Sequence, residues 1–165
     1  NQVVVQIDSV VYIEQFQDLY GEHEGIVPYF VDDPKGDNFY RFEMRRMVDS
    51  ATMDVNEFHS CSVPEFVPII EIGSTIYSAV KQNGLPMNFV IEPAYKHHQG
   101  DIAQVYIQSC DRNMFEFYNS LDKQRLAQVN PFAEPIFINS PQFTNAIGVF
   151  GSYSLSDPIQ LVFPE

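Results

Sequence analysis

The chain of 165 residues has no tryptophan, only two cysteines, nine basic residues and no long apolar run. Each shortage excludes something. No stretch approaches 18 consecutive apolar residues, so no transmembrane helix is expected. Nine Lys and Arg stand against 22 Asp and Glu, a formal charge of −13. That balance repels a phosphate backbone and disfavours an anionic membrane surface, so nucleic acid is an unsuitable partner. Cys61 and Cys110 leave the compartment open: one disulfide in an oxidising envelope, or two reduced and buried thiols. The sequence also lacks Gly-x-Ser-x-Gly, His-Glu-x-x-His, a Walker-type loop and a dinucleotide fingerprint, which turns the reading away from an enzyme. No signal peptide is present, and the chain opens at Asn1 directly into a strand-like Val3–Ile7. The expectation is that an N-terminal portion precedes it.

What is present is aromatic. Fourteen Phe and nine Tyr, within an apolar fraction of 45%, are enough for one domain with a real core. Most apolar runs are short, rich in Val, Ile, Phe and Tyr, and bounded by Gly, Pro, Asn or Asp, which reads as strands. Strands are expected at Val3–Phe16, Gly25–Val31, Phe39–Asp49, Phe66–Ile72, Met87–Pro93, Ile102–Gln108, Pro135–Asn139, Ala146–Tyr153 and Pro158–Phe163. Tyr40, Phe42 and Met44 alternate with Arg41, Glu43 and Arg45, the pattern of a half-buried antiparallel strand. Ala103, Val105 and Ile107 likewise alternate with Gln104, Tyr106 and Gln108. One helix is expected over Arg112–Gln128, with Asp111 as N-cap, Met114, Tyr118 and Leu121 on one stripe, and Asn130-Pro131 as its stop. A weaker helical turn is expected at Ser74–Lys81, and a polar hairpin loop at Glu14–Glu24. The fold class is therefore mainly β: an antiparallel sandwich or barrel-like domain spanning the chain, with one helix near residues 112–128.

Chemistry candidates are few. Asp32, Asp33 and Asp37, with Asn38, lie on a turn built by Pro34 and Gly36 and could offer oxygen ligands to calcium; solvated turn acids are the alternative. His59 and Cys61 sit two apart, and His97 and His98 are adjacent, without a second pair at metal-ligand spacing. Glu22, His23 and Glu24 read as a solvated cluster. Arg41, Arg45 and Arg46 could bind an anion, or pair with acids on an exposed sheet face. Tyr12, Tyr20, Tyr29, Tyr77 and Tyr95 could line a carbohydrate or partner surface. No catalytic residue and no cofactor are assigned.

Three segments in order resemble the DUF4249 family of Bacteroidetes envelope lipoproteins. The first is Asp8-Ser9-Val10 with Tyr29–Phe42. The second runs from Gly100-Asp101 through Val105–Ser109 to Phe115–Leu121. The third is Asn130-Pro-Phe-Ala-Glu-Pro135 with Gly148-Val-Phe-Gly-Ser-Tyr-Ser154; between its two halves Ser140–Asn145 departs from the family pattern. The resemblance covers nearly all of this chain and implies the C-terminal part of a longer lipoprotein, with an N-terminal lipid anchor lying outside it. It further implies an outer-membrane location, at the periplasmic or cell-surface face, and partnership with a TonB-dependent outer-membrane barrel protein. On this basis the expected function is a non-enzymatic binding or assembly module. The alternatives are a carbohydrate- or peptide-capturing surface protein and a hydrolase of envelope polymers using a carboxylate pair. Within the third segment, Phe132, Phe137 and Phe150 are expected as core anchors, and Gly148 and Gly151 as allowing a bulge or close backbone packing in the last strands.

Overall fold

The computed structural model describes residues 3–17, 22–47, 66–68, 71–72, 76–93, 100–128, 134, 136–140 and 142–164. Strands β1 (Ile7–Gln17) and β2 (Glu22–Val31) pair antiparallel, and β2 continues to β7 (Pro86–Asn88), giving a three-stranded sheet in the order β1-β2-β7. A six-stranded sheet is centred on β3 (Phe39–Met47) and β9 (Ile102–Cys110). Strands β4 (Phe66–Pro68) and β6 (Ile76–Ser78) pair with β3; β10 (Tyr153–Leu155) and β11 (Ile159–Val162) pair with β9. Strands β5 (Glu71–Ile72) and β8 (Glu92–Pro93) form a separate small pair.

The two larger sheets face each other across one core, a sandwich-like arrangement. Tyr40, Phe42 and Met44 of β3 and Ala103, Val105 and Ile107 of β9 meet Ile7, Ile26 and Phe30 of the smaller sheet. Leu161, Phe163 and Ile91 complete the cluster. Phe30 meets the Tyr40 ring edge-on, with centroids 5.0 Å apart. Each such aromatic, taken from water, contributes about 1.5–3 kcal/mol. The sandwich part of the fold expectation is thus met, and the alternation along β3 places its apolar residues inward as the sequence implies.

Across the other face of the six-stranded sheet lies α1 (Arg112–Gln128), with the bounds expected from its stripe. Asp111 caps it: the Met114 N–H donates to Asp111 Oδ1 at 2.9 Å. Phe115 stacks on Phe39 at 4.6 Å, and Met114 joins Phe39, Ile76 and Cys110 in a second apolar cluster.

Several expectations are corrected. Glu14–Glu24 is not an open loop: β1 runs to Gln17 and β2 starts at Glu22, paired across a register shift between Ile13 and Phe16. Polar side chains suit this pairing because Glu14, Gln15, Gln17, Glu22 and Glu24 are exposed there. Within the expected helical turn Ser74–Lys81, the described residues 76–81 are not helical. Ile76–Ser78 is strand β6, and Lys81 and Asn83 take positive φ (78° and 44°), which no α-helix accommodates. Phe66–Ile72 and Met87–Pro93 each divide into two shorter strands. Residues 136–140 and 142–152 form no strand, and pairing resumes only at Tyr153. The outer face of β9 is not solvated either: Tyr106 and Gln108 are buried there along with Cys110.

The join between β10 and β11 explains how β9 keeps its second edge paired. The chain leaves register between Leu155 and Ile159. Buried Ser156 fills the gap: its N–H donates to Ile107 O at 2.9 Å, and its hydroxyl accepts from Ile107 N at 3.0 Å. A side-chain oxygen thereby replaces the missing strand acceptor and leaves Ile107 satisfied.

Candidate functional site

The segment from Ile136 to Ser152 crosses beside α1 and enters β10. We refer to it, through Tyr153, as the strap. Its aromatic residues point the opposite way from expectation. Phe137 is 88% exposed, Phe150 80%, Ile147 71% and Tyr153 55%. Phe137 and Phe150 are therefore surface groups, not core anchors; Phe132 lies outside the described residues. The reason lies in what replaces strand pairing. Ser140 Oγ donates to Gly148 O at 2.6 Å and accepts from Gly148 N at 3.0 Å. Gln142 Nε2 donates to Phe150 O at 2.6 Å, and Gln142 Oε1 accepts from Phe150 N at 2.6 Å. Two side chains thus satisfy the backbone donor and acceptor of two residues, eight positions on in each case. With those groups paired by side chains, the strap holds its shape without entering a sheet, and its own Phe side chains need no burial.

Both ends of the strap are tied to α1. Near the middle of the helix, Ser120 Oγ accepts from Asn139 N at 2.8 Å, and Asn139 Nδ2 donates to Glu116 Oε2 at 3.1 Å. At its N-terminus, Asp111 Oδ2 accepts from Ser152 N at 2.6 Å and from the Ser152 hydroxyl at 3.2 Å. Burial alone pushes the Asp111 carboxyl up, but the Met114 and Ser152 donors outweigh it and hold the group below the usual carboxylate range. One carboxylate therefore caps the helix and fastens the strap. The close approach explains Gly151: a Cβ there would lie 2.4 Å from Met114 Cγ and 2.9 Å from Asp111 Oδ1. Close packing is thus found at Gly151, against side chains and outside any strand, rather than within the last strands as expected. A Cβ at Gly148 would meet only the Phe143 ring, at an ordinary 3.6 Å.

The strap is also without charge. No Asp, Glu, Lys, Arg or His occurs between Glu134 and Asp157, in a chain carrying 22 acids and nine bases. This interval was open to sequence reading, as a gap in the charge pattern rather than as a motif.

The other sequence candidates fall elsewhere. Asp32, Asp33 and Asp37 do not converge on one ligand position. Buried Asp32 accepts from the Tyr40 hydroxyl at 2.7 Å and Asn38 Nδ2 at 3.1 Å through Oδ1, and from Gly84 N at 3.2 Å through Oδ2. Asp33 Oδ1 accepts from Lys35 N within the turn, and Asp37 pairs with Arg112 at 2.9 Å. Each acid has its own partner, and Asp32 is a structural tie between the β3 strand and the turn before β7. Among the described residues no group of three metal-ligating side chains is assembled.

Cys110 is a free thiol, buried against Phe39, with burial pushing it up to about 12. Cys61, His59, His97 and His98 lie outside the described residues, as do Tyr20 and Tyr95. Arg41 and Arg45 do not stand on an open face. Arg41 lies 4.7 Å from the Tyr118 ring centre and donates to Gln108 Oε1 at 3.3 Å. Arg45 lies 4.7 Å from the Tyr106 ring centre and pairs with Glu43 at 2.5 Å. Gln108 Nε2 in turn donates to the second Glu43 oxygen. Tyr12 packs edge-on against Phe163, and Tyr77 stacks on Phe89, so both border the core. Tyr12, Tyr29 and Tyr77 lie on strands β1, β2 and β6 rather than in loops, and of the three Tyr29 alone stands clearly out, at 39% exposed. Among the described residues, an open groove at the end of the β1–β2 pair is lined by Glu14, Gln15, Glu22 and Glu24.

Among the described residues no helix is long and apolar enough to cross a membrane. Comparison with protein-family models, with curated proteins and with solved structures gives no match.

Proposed function

We propose that this chain is a non-enzymatic binding and assembly module whose contact surface is the strap. The observation that supports it is the exposure of Phe137, Ile147, Phe150 and Tyr153 on a segment whose backbone is pinned. Apolar residues scattered singly over a surface need no explanation, but several on one ordered, uncharged segment mark a contact site. Aromatic side chains on a rigid support lose little freedom when they bind, so more of their burial appears as affinity. The resemblance in sequence supplies the setting: a lipoprotein of the outer membrane, assembled with a TonB-dependent barrel protein.

The test is recovery of the tagged full-length protein from native outer membranes, beside a variant carrying Phe137→Ser and Phe150→Ser. Both residues are exposed, so the variant is expected to fold. A stoichiometric polypeptide recovered with the native strap and lost with the variant supports the reading. Recovery of the same proteins with both forms removes the strap as the contact surface. A protein that comes away alone in both removes the assembly reading.

A further inference from the structure

We infer that the strap is covered by the strap of a second copy of this chain. The inference rests on reading the strap as the contact surface, and it names the occupant.

The charge pattern selects this partner. A chain at −13 that met a basic protein would gain by placing its acids in the contact, both for encounter rate and for register. This chain does the reverse: its exposed aromatic segment runs from Glu134 to Asp157 without one charged residue. Such neutrality is what a two-fold contact requires. In an isologous interface the same patch lies on both sides, so any net charge in it faces its own copy. In an acidic chain, a segment with no charged residue of its own is where two copies can meet with the fewest carboxylates opposed; the nearest, Glu116 and Asp111, are bonded to Asn139 and Ser152 at its two ends. The polar surface outside the strap then stays in water.

Shape and size agree. The exposed residues are spread along the strap, from Phe137 beside the helix to Phe150 and Tyr153 at the entry to β10. The intervening turn carries exposed Gln142, Thr144 and Asn145. Phe143, 43% exposed, stands among them, so apolar groups run along the whole strap, which suits sideways contact. Phe137 and Phe150 alone offer about 300 Å² of ring surface. The Ser140 and Gln142 clamps hold the surface ready, so little ordering opposes association. A larger envelope partner would then meet a pair of modules rather than the strap itself.

The inference carries its own salt signature. Two copies at −13 repel at long range, and added salt screens this while the apolar contact persists. Association is therefore expected to tighten as ionic strength rises, the opposite of contact with a basic partner. The experiment is sedimentation velocity on the purified chain, from about 2 to about 200 µM, at about 50 mM and about 500 mM NaCl. A monomer–dimer equilibrium at least tenfold tighter at high salt is expected. Phe137→Ser with Phe150→Ser should weaken it by about 100-fold or more. Val11→Ser, at an exposed apolar residue outside the strap, should leave it unchanged. Circular dichroism and a melting curve establish that each variant is folded. A chain that stays monomeric at about 200 µM and high salt overturns the inference. So does a dimer indifferent to the strap substitutions, or one that loosens with salt. If the chain is monomeric yet a strap-dependent protein is recovered from membranes, the contact reading stands and only its occupant is wrong.

Discussion

At the scale of single residues, the sharpest constraints sit where the strap meets the helix cap. Gly151 has no left-handed φ to explain it; space does. An alanine methyl would run into Met114 Cγ and the Asp111 carboxylate, neither of which can move without loosening α1 or its cap. Gly151→Ala is expected to lower stability by about 1–3 kcal/mol, read from urea unfolding. Gly36→Ala is a useful contrast. Nothing lies near its Cβ position, but its φ of +82° makes any side chain strained, so about 1 kcal/mol is expected from conformation alone. Tyr40 poses a third case. Its hydroxyl donates to buried Asp32, and burial, with the Asp32 hydrogen bond adding to it, raises the phenol above its ordinary range. Tyr40→Phe keeps the ring in the core but takes one donor from a buried acid, which costs about 1–3 kcal/mol. An unfolding midpoint unchanged from the native protein would show that Asn38 and Gly84 hold Asp32 unaided.

Asp111 joins the residue scale to that of elements, because its carboxylate belongs at once to a helix and to the strap. Its folded pKa is depressed, so its contribution to stability is fully present above the carboxylate's unfolded value. It is lost as pH falls through the folded one. Asp111→Asn keeps an acceptor for the cap and removes the titration, so acid unfolding should become less steep below about pH 4. Asp111→Ala removes both ties and should cost about 0.5–2 kcal/mol at neutral pH. At the same scale, Gln142→Ala releases the N–H and C=O of Phe150. Because the strap lies outside both sheets, the expected result is local: amide exchange at Phe150 at least about tenfold faster, with global unfolding shifted by less than about 1 kcal/mol.

These elements also show what the sequence made legible. The helix bounds and its Asp111 cap were readable because capping chemistry and the aromatic stripe coincide there. The inward face of β3 was readable because period two is unbroken from Tyr40 to Arg45. The strap was not: Pro135–Asn139 and Ala146–Tyr153 have strand composition, and strand composition is also what an extended, side-chain-clamped segment needs. Ser140 and Gln142 carry no signal marking them as backbone partners. Phe137 and Phe150 look like core anchors because an exposed phenylalanine and a buried one are written with the same letter. The partners of the turn acids were hidden for a similar reason: spacing shows that the acids are near one another, not that Tyr40, the Lys35 N–H and Arg112 engage them.

For the whole molecule the governing quantity is charge. Ion pairs such as Arg45–Glu43 and Arg112–Asp37 offset little of an excess of 13 acids, and the second is exposed enough to be worth little. Unfolding spreads the acids apart, so self-repulsion favours the open chain, and salt, by screening it, favours the compact one. Raising NaCl from about 20 to about 500 mM should therefore raise the melting temperature. About 1 kcal/mol of relief corresponds to roughly 2–4 °C in a chain of this size. The strap variant of Phe137 and Phe150 should show the same salt increment at a concentration where both forms are monomeric, because it changes no charge. A salt increment that vanished in the variant would mean that the stabilisation comes from association through the strap rather than from screening within one chain. A melting temperature that fell with salt would mean that attractive pairs outweigh the repulsion, and the charge argument for the neutral strap would lose its physical basis.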